Sequence, residues 1–182
     1  MEKEYKRMII IGSPGSGKST LAKELASSIK LPLIHLDSLY WNPGWVPTPS
    51  KQFREVLEKK LNEEKWIMDG NFSSTLSIRA KRADLIIFLD FPKLLCTYRI
   101  VKRVWLYKGK TRPDMGEDCP ERIDKEFVKF VWNFPRDVRP VIQNILKEEA
   151  SHAEIYVLHQ PKEVKRFLEA APLFHKSGLS SL

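Results

Sequence analysis

The chain has 182 residues, 42% hydrophobic and 30% charged, enough for one compact core and short for two domains. Its longest apolar run, Leu85-Ile86-Ile87-Phe88-Leu89 between two aspartates, falls far short of the roughly 20 residues a membrane-spanning helix needs, and the charged start from Met1 to Arg7 lacks the apolar core of a secretion signal. A cytoplasmic protein is expected, with Cys96 and Cys119 as free thiols rather than parts of a disulfide framework or zinc site.

Thirty-one basic against 23 acidic residues give a net charge of +8, which favours anionic partners such as nucleotides, phosphorylated metabolites or nucleic acid. Much of the excess sits between Lys93 and Arg112, a segment with no acidic residue.

In chain order, the β-branched run Arg7 to Ile11 predicts a strand, and a glycine-rich turn leads to a helix from Ser19 to Ile29 with Leu21, Ala22, Leu25, Ala26 and Ile29 at helical spacing. Leu33 to Asp37 predicts a second buried strand, opening into an aromatic and proline-rich loop from Tyr40 to Pro47. Thr48-Pro49 has the pattern of an N-cap with proline at the first helical position, ahead of a stripe of Phe53, Val56, Leu57 and Leu61. Trp66 to Asp69 and Asp84 to Asp90 predict the third and fourth strands, linked by a polar helix from Ser74 to Lys81.

A basic helix follows from Pro92 to about Tyr107, then a mobile loop from Lys108 to Pro120. Helices through Ile123, Phe127, Phe130, Val131 and Phe134, and from Val141 to Glu149, precede a fifth strand at Glu154 to Leu158 and a closing helix at Pro161 to Leu168. This alternation predicts an α/β fold, a parallel sheet covered on both faces, because each crossover must return over the sheet. Residues 1–176 are expected to form one domain, with an acceptor-side flap at about 38–65, a helical lid at about 99–122, and a disordered tail at 177–182.

Gly12-Ser13-Pro14-Gly15-Ser16-Gly17-Lys18-Ser19 matches G-x-x-x-x-G-K-[ST], the phosphate-binding loop, and Thr20 follows it. Polyphosphate needs many converging donors, and glycines let backbone N–H groups curl round a phosphate while the next helix aims its positive end at it. Lys18 is placed to bridge the β- and γ-phosphates of a nucleoside triphosphate and Ser19 to hold Mg²⁺. A competing dinucleotide fingerprint fails, since its third glycine position is Thr20 and the Lys18-Ser19 pair has no role in it.

The reaction has to be read from the other strand ends, where ligands of open α/β sheets sit. Asp37 could accept a proton from an acceptor hydroxyl or bind the acceptor. Asp69 could hold Mg²⁺ through water or assist as base, and Asp90 reads as a turn cap. Arg99 and Arg103, four apart on one helical face, could reach a transferring phosphoryl group from a closing lid, whose Arg112 is expected to bind the nucleotide together with the loop from Gly12 to Thr20. Arg79, Arg136 and Arg139 are weaker candidates. Tyr40, Trp41 and Trp45 either stack an acceptor ring or pack a small flap, and His35 reads as a satisfied core histidine rather than a catalyst.

With these residues in view, the sequence resembles the adenylate-kinase-like group of P-loop kinases and, more closely, bacterial DNA topology modulation proteins. The likeness runs from about Met8 to Leu168 and rests on GSPGSGKST, His35-Leu36-Asp37, the loop Tyr40 to Trp45, Trp66 to Phe72, Leu85 to Pro92, Arg99 with Arg103, and Arg112-Pro113-Asp114-Met115. It implies a P-loop NTPase three-layer fold with a five-stranded parallel sheet of order 2-3-1-4-5, and ATP with Mg²⁺ as cofactors. Nucleoside monophosphate kinases end their third strand in Asp-Gly-Phe-Pro-Arg, whose arginine binds phosphate. Here Asn71-Phe72-Ser73 follows Asp69-Gly70, leaving Arg79 as a candidate substitute.

The expected function is ATP/Mg²⁺-dependent phosphoryl transfer to a small-molecule acceptor, a nucleotide or nucleoside being one class. The alternatives are a nucleotide-dependent DNA-associated regulator and an acceptor-free ATPase.

Overall fold

The computed structural model describes residues 4–107, 109, 111–121 and 124–171. In chain order the elements are β1 (Arg7–Gly12), α1 (Lys18–Ile29), β2 (Leu33–His35), α2 (Leu36–Tyr40), β3 (Trp41–Asn42), β4 (Val46–Pro47), α3 (Ser50–Leu61) and β5 (Trp66–Asp69). Then come α4 (Ser73–Ala80), β6 (Leu85–Leu89), α5 (Lys93–Leu106), α6 (Lys125–Asp137), α7 (Arg139–Glu149), β7 (Glu154–Leu158) and α8 (Pro161–Ala170).

Five strands form one parallel sheet in the order β2-β5-β1-β6-β7. Numbered without the small β3-β4 hairpin this is 2-3-1-4-5, the expected order.

The period-2 alternation of the central strands sorts their side chains onto two cores. Met8 and Ile10 of β1, Ile67 of β5 and Leu85, Ile87 and Leu89 of β6 face α1, α5 and α8, where Leu21, Leu25, Ile100 and Phe167 meet them. Ile9, Ile11, Met68, Ile86 and Phe88 face the other way, against Leu57 and Leu61 of α3, Leu76 of α4 and Leu146 of α7. A sheet apolar on both faces must be covered on both, which gives the three layers. Coverage stops at the edge strand β7, whose Ile155 and Val157 are exposed.

The structure departs from the sequence-based expectation in several places. The second strand ends at His35 rather than Asp37, because Leu36 turns its fully buried side chain inward and opens the short helix α2, leaving Asp37 in that helix's first turn. The aromatic loop contains an antiparallel hairpin, Trp41 pairing with Pro47 and Asn42 with Val46, turning through Gly44 and Trp45 at positive φ. Thr48 does not cap α3, which starts at Ser50. Its hydroxyl instead accepts from the Asn42 amide at 3.0 Å and donates to the Leu39 carbonyl at 3.2 Å, closing the hairpin base.

Lys108, Lys110, Ile123 and the tail 177–182 lie outside the described residues. Among the described residues no helix is long and apolar enough to cross a membrane.

Candidate active site

The loop between β1 and α1 curls as its sequence requires. Gly15 sits at φ +80, and a Cβ there would meet the Cys96 carbonyl oxygen of α5 at 2.5 Å, so the close seating of the loop on α5 admits only glycine. Ser16 N–H donates to the Ser13 carbonyl at 3.1 Å. The α1 N-terminus has no side-chain cap and no acidic residue in its first turn. Its donors and positive dipole end are therefore left for an anion. Gly12, Ser13, Gly15, Ser16, Gly17, Lys18, Ser19 and Thr20 thus form one loop-and-helix start, and those from Gly15 to Thr20 line a cavity of about 1130 Å³.

Lys18 donates to the Ser13 carbonyl at 3.1 Å, and burial holds its ammonium below the usual lysine range against the pull of Asp69 and Asp37. Asp37, half-buried and lining the cavity, has its carboxyl raised by burial, with Lys18 opposing and Asp69 reinforcing. Asp69 is buried. One carboxylate oxygen, Oδ2, lies 3.0 Å from Nδ1 of His35, while Oδ1 has no hydrogen-bond partner among the described residues, and neither has Oγ of Ser16. His35 is therefore satisfied as expected, but by a residue of the site.

A buried carboxylate oxygen without a donor is costly unless a cation or its water meets it. Together with the uncapped helix start, it fits a polyphosphate with a hydrated Mg²⁺ held through Ser19 and Asp69. Among the described residues no cluster of three or more His, Cys, Asp or Glu could hold a metal without such a ligand.

The basic helix turns its arginines inward. Arg99 donates to the Ser16 carbonyl at 3.1 Å and stands over the Phe91 ring at 5.6 Å. Arg103 pairs with buried Glu121 at 2.7 Å, and its guanidinium is lowered by burial. Arg112 pairs with Asp114 at 2.7 Å and with Glu121 at 2.5 Å. On the outside of the same helix stand Leu94, Tyr98, Val101 and Trp105, so this face is apolar as much as basic.

The described residues of the loop expected to form a lid, 109 and 111–121, include a packed stretch. Thr111 bridges Pro120, and Asp114, Met115, Cys119 and Glu121 are buried. The loop is also fastened to the β3-β4 hairpin. Gly44 N–H donates to the Asp118 carbonyl at 2.9 Å, the Trp45 indole to the Pro120 carbonyl at 3.1 Å, and the Cys119 thiol to the Asn42 carbonyl at 3.3 Å. Trp41 and Trp45 line the cavity, their ring centroids 5.3 Å apart, whereas Tyr40 packs the flap with Phe53 and Phe72.

Three arginine candidates do not line the cavity. Arg79 is fully buried and donates to the carbonyls of Gly70, Asn71 and Phe72, so it braces the β5-α4 turn and presents no charge to the cavity. Arg136 is exposed and paired with Asp137, and Arg139 reaches Asp90 at 3.3 Å. Sequence reasoning assigned no role to Asn71 and Asp114, which lie in stretches that carry the resemblance, and passed over Glu121. Asn71 holds the backbone of Gly12. Asp114 has its carboxyl lowered because Arg112 and the Ser19 hydroxyl outweigh the opposite push of burial. The lid thereby reaches the phosphate loop.

Residues 8–90 match the family described as "ATPase family associated with various cellular activities (AAA)". A shikimate kinase of Leptospira biflexa is 25% identical over 167 residues, covering 79% of this chain and 91% of that protein. Human threonine synthase-like 1 is 24% identical over 114 residues, 53% of this chain and 15% of that protein. Shikimate kinase from Acinetobacter baumannii, solved in complex with shikimate, superposes with a TM-score of 0.61 at 13% identity, covering 92% of this chain and 93% of that one. The fold is a shikimate-kinase-like P-loop fold. The sequence similarity to the Leptospira enzyme supports a P-loop kinase, while the likeness to topology modulation proteins rests on the sequence motifs alone.

Proposed function

We propose that this protein is an ATP- and Mg²⁺-dependent phosphotransferase acting on the hydroxyl of a small-molecule acceptor. One observation carries the reading. The phosphate loop with Lys18, the α2 carboxylate Asp37 and the aromatic hairpin all open into one cavity, so a triphosphate and a hydroxyl compound can meet there.

In this reading the acceptor oxygen bonds to the γ-phosphorus, the bond from that phosphorus to the β–γ bridging oxygen breaks, ADP leaves, and the acceptor proton passes to Asp37. A carboxyl raised by burial suits that role, because a base works best with its pKa near the working pH. Lys18 and the loop amides hold the phosphates, and Arg99 and Arg103 face the charge that builds on the transferring group, with Arg112, expected on the nucleotide, sharing Glu121 with Arg103. Mg²⁺, held by Ser19 and Asp69, would neutralise phosphate charge. Most of the catalysis is positioning.

Incubating the protein with γ-labelled ATP, Mg²⁺ and a panel of nucleosides, nucleotides, shikimate and simple polyols tests the reading. Acceptor-dependent transfer of label supports it. Label released only to water favours the acceptor-free ATPase, and ATP hydrolysis dependent on duplex DNA favours the regulator suggested by the topology modulation likeness. A cytoplasmic location belongs to the same proposal.

A further inference from the structure

The charges around the acceptor end of the cavity say which class of compound belongs there. Trp41, Trp45 and Phe72 supply flat apolar walls. The cations nearby are already engaged. Arg112 lies between Asp114 and Glu121, at 2.7 and 2.5 Å, and Arg103 takes the same Glu121 at 2.7 Å. Both carboxylates are buried, 8% and 3% exposed. Lys18 belongs to the phosphate loop.

Among the described residues that line the chamber, Glu24, Asp37, Asp114, Glu121 and Asp124 balance Lys18, Lys23, Arg99, Arg103 and Arg112, and Arg99 is turned to the Ser16 carbonyl of the phosphate loop, so no surplus cation faces the acceptor end. Binding an anion at the acceptor end would draw Arg112 off two buried carboxylates and leave them uncompensated, a penalty that a single new ion pair with the ligand does not offset. The alternative arrangement points the same way. If a bound triphosphate attracts Arg103 or Arg112, Glu121 and Asp114 are freed toward the acceptor, and the local field becomes more negative.

The carboxylates are also fixed in place. Glu121 follows Pro120, whose carbonyl takes the Trp45 indole, and the same loop is tied to Gly44 through Asp118. An aromatic floor and a carboxylate-rich rim therefore move as one piece.

From this arrangement, and resting on the phosphotransferase reading above, we infer that the acceptor is an uncharged or cationic hydroxyl compound with a flat ring, a nucleoside-like molecule, and not a phosphate monoester or a carboxylate. Shikimate, the ligand of the structurally similar Acinetobacter enzyme, is a carboxylate and falls outside this class.

Matched pairs that differ only in charge test this. Transfer from ATP is measured to adenosine against AMP, uridine against UMP, and methyl shikimate against shikimate, with Mg·ATP binding followed in parallel by calorimetry. We expect the neutral member of at least one pair to be used with kcat/KM tenfold or more above its anionic partner, with no pair reversed. Glu121→Gln should cut that ratio at least threefold by releasing Arg112, and Asp114→Asn provides the same test should the first variant fold poorly. Preference for the anionic member, an unchanged ratio in a folded variant, or Mg·ATP binding with no neutral member accepted would each overturn the inference. Failure to bind Mg·ATP at all would instead overturn the phosphotransferase reading on which it stands.

Discussion

Asn71 and Gly12 are joined by two hydrogen bonds. The Asn71 side-chain carbonyl accepts from the Gly12 N–H at 2.9 Å, and its amide donates to the Gly12 carbonyl at 2.6 Å. This pair ties the end of β1, where the phosphate loop begins, to the turn after β5, and that turn is held in its own right by Arg79 on the carbonyls of residues 70–72. The loop's entry angle is thus set by a neighbouring strand and not by the glycines alone.

Replacing Asn71 with Ala strands a buried donor and acceptor at the mouth of the loop, at a cost of about 1–3 kcal/mol. We expect Asn71→Ala to lower the melting temperature by several degrees and to weaken Mg·ATP binding about tenfold. Asn71→Asp, which cannot donate to Gly12, should do no better. Thermal melts and nucleotide titration check both.

Asp37 carries a pH signature. Burial raises its folded pKa above the ordinary 3.8, so its contribution to stability is fully present below the unfolded pKa and is lost as pH rises through the raised folded one. As pH rises above the ordinary carboxylate range, burial of this carboxyl weakens the fold. Asp37→Asn should therefore melt roughly 2–5 °C higher than the parent at pH 7 while the difference shrinks toward pH 4. The same substitution should reduce acceptor-dependent transfer at least a hundredfold and leave Mg·ATP affinity within about threefold.

Gly116 marks where the lid touches the flap. A Cβ at this position would lie 2.0 Å from the Trp41 carbonyl oxygen, a backbone atom that cannot move aside cheaply. Gly116→Ala should push the lid loop from the hairpin, raising KM for the acceptor about tenfold with little change in the affinity for Mg·ATP. Steady-state kinetics with each substrate varied in turn separates the two effects.

Arg99 decides between a catalytic lid and a general basic surface. Its guanidinium bonds the Ser16 carbonyl and stacks on Phe91, contacts that an ammonium reproduces poorly. Arg99→Lys should cost about tenfold to a hundredfold in transfer rate and leave any duplex-DNA binding, measured across a salt series, unchanged. A phosphate-contacting surface would show the opposite pattern, a steep salt dependence with Arg→Lys nearly silent.

The legible part of this molecule was its periodic part. β1, β6 and β7 declare themselves by apolar runs rich in β-branched residues, the alternation of strands and helices gives a parallel sheet whose order 2-3-1-4-5 came from the family resemblance, and the glycine spacing places the phosphate loop. What escaped was decided by contacts far apart in sequence. Leu36 leaves the strand because its side chain is buried, a tertiary demand no local pattern carries. Trp41 to Pro47 form a hairpin whose turn needs Trp45 at positive φ, an unusual position for an aromatic residue. Arg79 looked like a phosphate ligand by type, but its partners are three backbone carbonyls that only the folded turn brings together. Glu121 and Asp114 carry no local signal of a role, because their partners Arg103 and Arg112 are set by the folded loop.

The central claim is that Lys18 holds a triphosphate for transfer. Burial already keeps its ammonium below the usual lysine range, so the fold gains nothing from the charge and Lys18→Ala should melt within about 2 °C of the parent. The decisive measurement is transfer of label from γ-labelled ATP to the best acceptor by the two proteins side by side. The account predicts a fall of at least a thousandfold in the folded variant, because the lost contact strengthens as charge builds in the transition state. Transfer within tenfold of the parent by a correctly folded Lys18→Ala protein would contradict it.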